Sequence, residues 1–299
     1  LLTQAASVTV IAMGLVFVLL LGEIDLSAGY ASGVCGAVLV ILITNHGYPW
    51  WLAFAISIIV GVILGYAIGT LVSRFGIPSF VVTLASFLGF QGILLLLAGE
   101  GGTIRIEDPT ILAVQNNNLS PILSWIFFIA ISVIYVLIGL ARINSRRKAG
   151  LKSELKKLWV IKTASLLLIG AGAVWALNLE RSNNPKLVSL KGTPLIVPVI
   201  LLLLVAGTFV LGRTAYGRHI YAVGGNAEAA RRAGINVKNI RTSAFVICSS
   251  FAAIAGMLFA SRQNSISPTT GGSSTLLYAV GAAVIGGTSL FGGKGKMRD

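Results

Sequence analysis

Residues 50–73 read WWLAFAISIIVGVILGYAIGTLVS, twenty-four positions without one charged side chain. About 20 apolar residues suffice for a helix to cross the hydrocarbon of a bilayer. This stretch therefore predicts a transmembrane helix. Working outward, further apolar spans fall at roughly 3–22, 27–44, 78–98, 122–142, 160–179, 194–212, 243–262 and 275–291. The expected fold is an all-α, polytopic transmembrane helical bundle of about nine spans, forming one membrane domain over residues 1–299. The sixth span has a short apolar centre. The ninth carries Gly281, Gly286 and Gly287, which leaves a re-entrant or broken segment open.

Composition agrees. Apolar residues make up 56% of the 299 positions and charged residues only 11%, with a mean hydropathy of +0.89. Soluble domains carry about 25% charged residues, so a water-facing surface could not be built from this chain.

The net charge of +14 is not spread evenly. Eight of the 23 Lys and Arg lie in residues 142–162 and six in residues 213–241, each group between apolar spans. Short cytoplasmic loops collect such residues, so 143–162 is read as a basic cytoplasmic loop and 213–242 as a second. Alternating the spans from there places 18 of the 23 basic residues inside. It places the 99–121 loop outside, with Glu100, Glu107 and Asp108 against Arg105, leaves Arg181, Lys186 and Lys191 outside, and puts Arg262 near the outer edge. A nucleic-acid role is excluded because no stacking platform or base-reading module accompanies the charge.

The same parity runs the first span from outside to inside. With Leu1 in place of Met and an abrupt end at residues 296–299, the chain is read as trimmed at both ends, with at least one further span expected upstream. Nothing resembles a secretory leader.

Other candidate chemistry is sparse. Cys35 and Cys248 each sit alone in an apolar span, without metal or redox spacing, and predict neither disulfide nor metal site. His46 and His219 fall in loops on opposite sides, without a hydrolase or metalloprotease context, and the sequon at Asn118 is read as chance. GGTSLFGGKGK at 286–296 lacks the glycine spacing and following hydroxyl of a phosphate loop, so the chain itself should not bind ATP. No catalytic residue and no cofactor is expected. Gly61, Gly65 and Gly69, and again Gly29, Gly33 and Ala37, recur at the four-residue spacing that lets helix backbones approach closely, either within the subunit or at a dimer or substrate groove.

The most informative loop is 213–242. Asn226 is placed to cap a helix N-terminus, Glu228 follows in its first turn, Arg231 and Arg232 lie toward its other end, and Gly234 suits a left-handed stop. A short helix of about two turns is predicted there, either a solvated connection or a docking surface.

Glu228, Ala229, Ala230 and Gly234 resemble the EAA motif of bacterial ABC importer permeases. The likeness extends through YGRHIYAVGGNAEAARRAGIN (216–236), GEIDLSAG (22–29), GIPSFVVTLASFLGFQG (76–92) and AAVIGGTSLFGGKG (282–295), four blocks in order over nearly the whole chain. These are similar to the ribose and xylose branch of sugar permeases. The basic loop and extra span between 142 and 179 resemble the xylose type. The resemblance implies an inner-membrane, non-catalytic subunit that works with cytoplasmic ABC ATPase subunits, a periplasmic sugar-binding protein and a second permease copy in a homodimer surrounded by lipid.

It further implies that Gly224, Gly225, Asn226, Glu228, Ala229, Ala230, Arg231 and Gly234 couple to the ATPase. Asp25, Ser27, Ser79, Thr83 and Gln91, all within the matching blocks, are candidates for the translocation path. Glu23 and Asp25 stand near the inner end of the first span, and two readings are open: hydration at the membrane edge, or a broken helix lining the path. The chain departs from the family at Glu23, where a glycine is usual, and at Lys296, where a small hydroxyl residue and further spans would follow.

Overall fold

The computed structural model describes residues 2–99, 102–148, 156–182 and 189–298. In chain order it comprises α1 (Leu2–Leu19), α2 (Ala28–Thr44), α3 (Trp50–Ser73), α4 (Ser79–Ala98), β1 (Ile104–Arg105), α5 (Pro109–Asn116), α6 (Pro121–Lys148) and α7 (Lys156–Asn178). It continues with α8 (Ile196–Arg213), α9 (Ala215–Gly225), α10 (Ala227–Arg232), α11 (Val237–Gln263), β2 (Ser265–Ile266) and α12 (Ser273–Ile285). All nine expected spans fall on helices. Among the described residues seven helices are long and apolar enough to cross a membrane, whereas α2 has 17 residues and α12 has 13. The ninth span stops at Ile285, and residues 286–298 turn back as a loop.

Glu100 and Lys186 lie outside the described residues. So does the centre of the expected basic loop, residues 149–155. The helices reach further into that loop than hydropathy suggests, α6 to Lys148 and α7 from Lys156.

The chain forms two compact units, one of Leu1–Asn116 with Ile196–Asp299 and one of Asn117–Leu195. In the first, α11 is the central helix and packs against α1, α2, α3 and α5. Its 27 residues give a rod about 40 Å long. The glycine stripe on α3 explains its tight contact: at Gly61, Gly65 and Gly69 a Cβ would press on the backbone of Ser249, Phe245 and Thr242. Gly29 and Gly33 likewise face the backbone of Gly271 and Thr270. Close packing within the subunit therefore accounts for both small-residue rows.

Polar contacts group the helix ends. Ser73 and Thr242 hydroxyls meet at 2.7 Å, joining the end of α3 to the start of α11. At the opposite end Arg262 donates to Thr3 Oγ1 at 3.1 Å, Thr44 donates to Arg105 O, and β1 pairs antiparallel with β2. There α5 is started by Asp108, whose Oδ1 accepts from the Thr110 and Ile111 N–H groups, with Pro109 in the first helical position.

In the second unit α6 packs on α7, with Gly139 under the Trp159 ring and Gly170 under Phe128. Glu180 accepts from Leu190 N, Ser182 N and Ser189 Oγ.

Large apolar side chains stand on the outside of both units. Leu96 is 82% exposed and Ile285 89%. In water such surface would be unfavourable at roughly 25 cal/mol per Å², whereas lipid tails cover it at no such cost.

Candidate functional site

The 213–242 loop holds two helices rather than the one expected, and α11 begins at Val237 inside it. Thr214 caps α9: its Oγ1 accepts from Gly217 N at 3.1 Å and donates to Val210 O at 2.6 Å. Gly217, Ile220 and Val223, spaced by three, are buried on one face of α9. Hydropathy passes over this helix because Arg218, His219 and five glycines or alanines dilute its apolar stripe. Thr214 and the i, i+3, i+6 spacing were the available signals.

Asn226 ends α9 and starts α10. Its N–H donates to Ala222 O, and its Oδ1 accepts from Ala229 N at 2.9 Å. At the far end Gly234, at φ +84°, donates to Arg231 O, and Ile235 N donates to Ala230 O, both at 3.0 Å. This is the paired 5→2 and 6→1 closure of a left-handed glycine stop. Glu228 accepts from Arg231 Nε and Nη2 at 2.9 and 2.8 Å and from Arg232 Nε at 3.1 Å. Those two guanidinium groups hold its carboxyl below the usual glutamate range.

Of the eight loop candidates, Gly225, Asn226, Glu228, Ala229, Arg231 and Gly234 are exposed, Gly224 is half-buried, and Ala230 is buried. Ala230 is small because it packs. No neighbour of this chain comes near a Cβ built at Gly225 or Gly234.

The second group of candidates meets at the break between α1 and α2. Asp25 is wholly buried, and its Oδ1 accepts from Ser27 N at 2.9 Å and Ser27 Oγ at 2.6 Å. Oδ2 makes no hydrogen bond among the described residues. The first turns of α4 satisfy the backbone of the break: Ile24 N donates to Ser79 Oγ at 3.3 Å, and Thr83 Oγ1 donates to Ile24 O at 3.2 Å.

Asp25, Ser27, Ser79 and Thr83 are thus brought together. Gln91 is not among them, being exposed further along α4. Asp25 lies in the unwound segment between α1 and α2 and is fully buried by the surrounding helices. Glu23 is different: it lies 3.3 Å from Arg241 Nε in an ion pair whose N–H is not aimed well enough to make a hydrogen bond.

Membrane-length helices, an unwound segment carrying a buried acidic residue, and an exposed capped helix in a basic loop together define a multi-pass transport subunit. The chain belongs to the family described as branched-chain amino acid transport system / permease component, whose model matches residues 1–293. It is 38% identical over 299 residues to the xylose transport system permease protein XylH of Escherichia coli K12, covering 99% of this chain and 72% of that protein. XylH of Haemophilus influenzae is 35% identical over 298 residues, covering 99% of this chain and 76% of its own. The autoinducer 2 import system permease protein LsrC of Escherichia coli DH10B is 29% identical over 293 residues, covering 98% and 64%. No solved structure matches. As a permease component the chain is a sugar-ABC-type transport subunit and not an enzyme.

Proposed function

We propose that this chain is the membrane subunit of an ATP-driven importer that carries a monosaccharide, D-xylose or a similar pentose, across the inner membrane. A cytoplasmic ATPase docks on residues 224–236, a periplasmic sugar-binding protein on the opposite face, and two permease copies enclose the path. The observation that carries this reading is the exposed α10, capped at both ends, with Gly225 and Ala229 kept small on its exposed surface and nothing of this chain within 4 Å of a Cβ built at Gly225. A surface that is small without internal cause fits close approach by another subunit.

Asp25, Ser27, Ser79 and Thr83 supply the polar part of the path near the helix break, and Gln91 a separate exposed contact on α4. The pentose assignment rests on the two XylH relatives. The family description names branched-chain amino acids instead, which makes leucine the informative competitor.

The test is uptake and ATP hydrolysis by the assembled transporter. Glu228→Lys or Gly234→Leu is expected to sever hydrolysis from uptake, and normal uptake in both would overturn the docking assignment. Labelled xylose is expected to accumulate where labelled leucine does not, and the reverse would reassign the substrate.

A further inference from the structure

We propose that the break between α1 and α2 is a transmission joint, gripped from both sides of α10, by the end of α9 and the start of α11, and that the Glu23–Arg241 ion pair is its latch. The inference rests on the docking of an ATPase at α10 and says how movement there reaches the buried carboxyl group of Asp25.

Three backbone segments meet without side chains between them. Gly293 N donates to Leu20 O at 2.8 Å. A Cβ at Gly224, the penultimate residue of α9, would run into that same Leu20 carbonyl and come within 2.9 Å of Gly293 N. Gly292, at φ +80°, would place a Cβ 2.8 Å from Gly224 O and 2.9 Å from Gly22 N. Gly22 is itself at φ +72°. Interdigitated side chains can re-rotamer when a helix shifts, but backbone set against backbone has no such slack. A displacement of α9 must therefore carry residues 20–22 with it.

The other end of the loop holds the same segment. Arg241 lies one turn into α11, just after Asn236 caps that helix by accepting from Asn239 N at 3.1 Å. Its guanidinium reaches Glu23, whose side chain is only 13% exposed. Partial burial makes this pair stronger than a surface one. So Gly224 before α10 and Arg241 after it bracket α10 in sequence and converge on residues 20–23. Two residues later stands Asp25. Ile24, between them, is tied to Ser79 and Thr83 of α4, so the joint also reaches the helix that carries the remaining path candidates.

The experiment uses the complete transporter in proteoliposomes, with Glu23→Arg, Arg241→Glu and the double reversal. Each single reversal places like charges together and is expected to lower xylose uptake per ATP hydrolysed by roughly fivefold or more, with the ATPase still co-purifying. The double reversal is expected to restore the ratio. A purely structural role would lower yield or thermal stability without moving that ratio. Unchanged ratios in both single variants, or no recovery in the double, would overturn the latch. Glu228→Lys and Gly234→Leu are run alongside: if both leave uptake normal, the docking assignment fails instead, whatever the charge reversals do.

Discussion

Asp25 shows how one residue separates folding from transport. Its carboxyl satisfies two donors of Ser27, so Asp25→Ala strands a buried hydroxyl and a buried N–H, at a cost of about 1–3 kcal/mol for each unsatisfied group. Asp25→Asn keeps an acceptor for both Ser27 donors. The expected outcome is a sharp loss of detergent resistance for Ala, a smaller loss for Asn, and loss of uptake in both. Normal uptake by the Asn variant would remove the charge of Asp25 from the mechanism. The acidic character of this stretch and its place at the end of the first span were legible in the sequence, but the burial of Asp25 was not. α1 ends at Leu19 and the chain turns at Gly22 with a positive φ, which hydropathy does not register.

Glu228 is the residue whose titration follows from geometry. Hydrogen bonds from Arg231 and then Arg232 favour its ionised form. A group with a depressed folded-state pKa stabilises the fold above its unfolded value, about 4.3 for glutamate, and that contribution disappears as pH falls through the folded value. Carboxyl NMR of Glu228 is expected to show a midpoint below that of an unstructured peptide, and replacing both arginines with alanine should raise it.

Helices that look alike in hydropathy differ in what their glycines do. Gly65 of α3 faces the Phe245 and Val246 backbone, whereas Gly89 of α4 has open space around it. Gly65→Ala is expected to separate α3 from α11 and destabilise the protein by about 1–3 kcal/mol, as overpacking does. Gly89→Ala should stabilise by about 0.5–1 kcal/mol through helix propensity alone. Thermal unfolding in detergent would check both, and equal shifts would refute the packing account. The spacing of Gly61, Gly65 and Gly69 was visible in the sequence; which partner they served was not, because α11 lies more than 170 residues away along the chain for Gly69. Caps were more readable. Asn226 and Gly234 perform the roles their types predict, since capping chemistry is local. The missed α9 depends on burial of Ile220 and Val223 against other helices, which is not a local property.

At the scale of the whole molecule, sidedness can be decided with the native thiols left in place. Cys35 and Cys248 are 0% and 1% exposed, so an impermeant maleimide should leave both unlabelled. The long antiparallel contact of α3 with α11 sets Ser73 beside Thr242 at one end, while Arg262 meets Thr3 and Ile106 N donates to Asn264 O at the other. Between those ends α11 spans about 40 Å, enough to cross the bilayer once. Glu107 near β1 and Ala229 on α10 are both exposed and belong to opposite ends of this unit. Glu107→Cys is therefore expected to react in right-side-out vesicles, and Ala229→Cys only in inverted ones. The basic residues of 213–241 carry that expectation, because lysine and arginine are retained on the cytoplasmic side during insertion. Labelling of Ala229→Cys from the periplasm would leave α10 out of reach of any cytoplasmic ATPase, and the coupling role of the loop would fall with it.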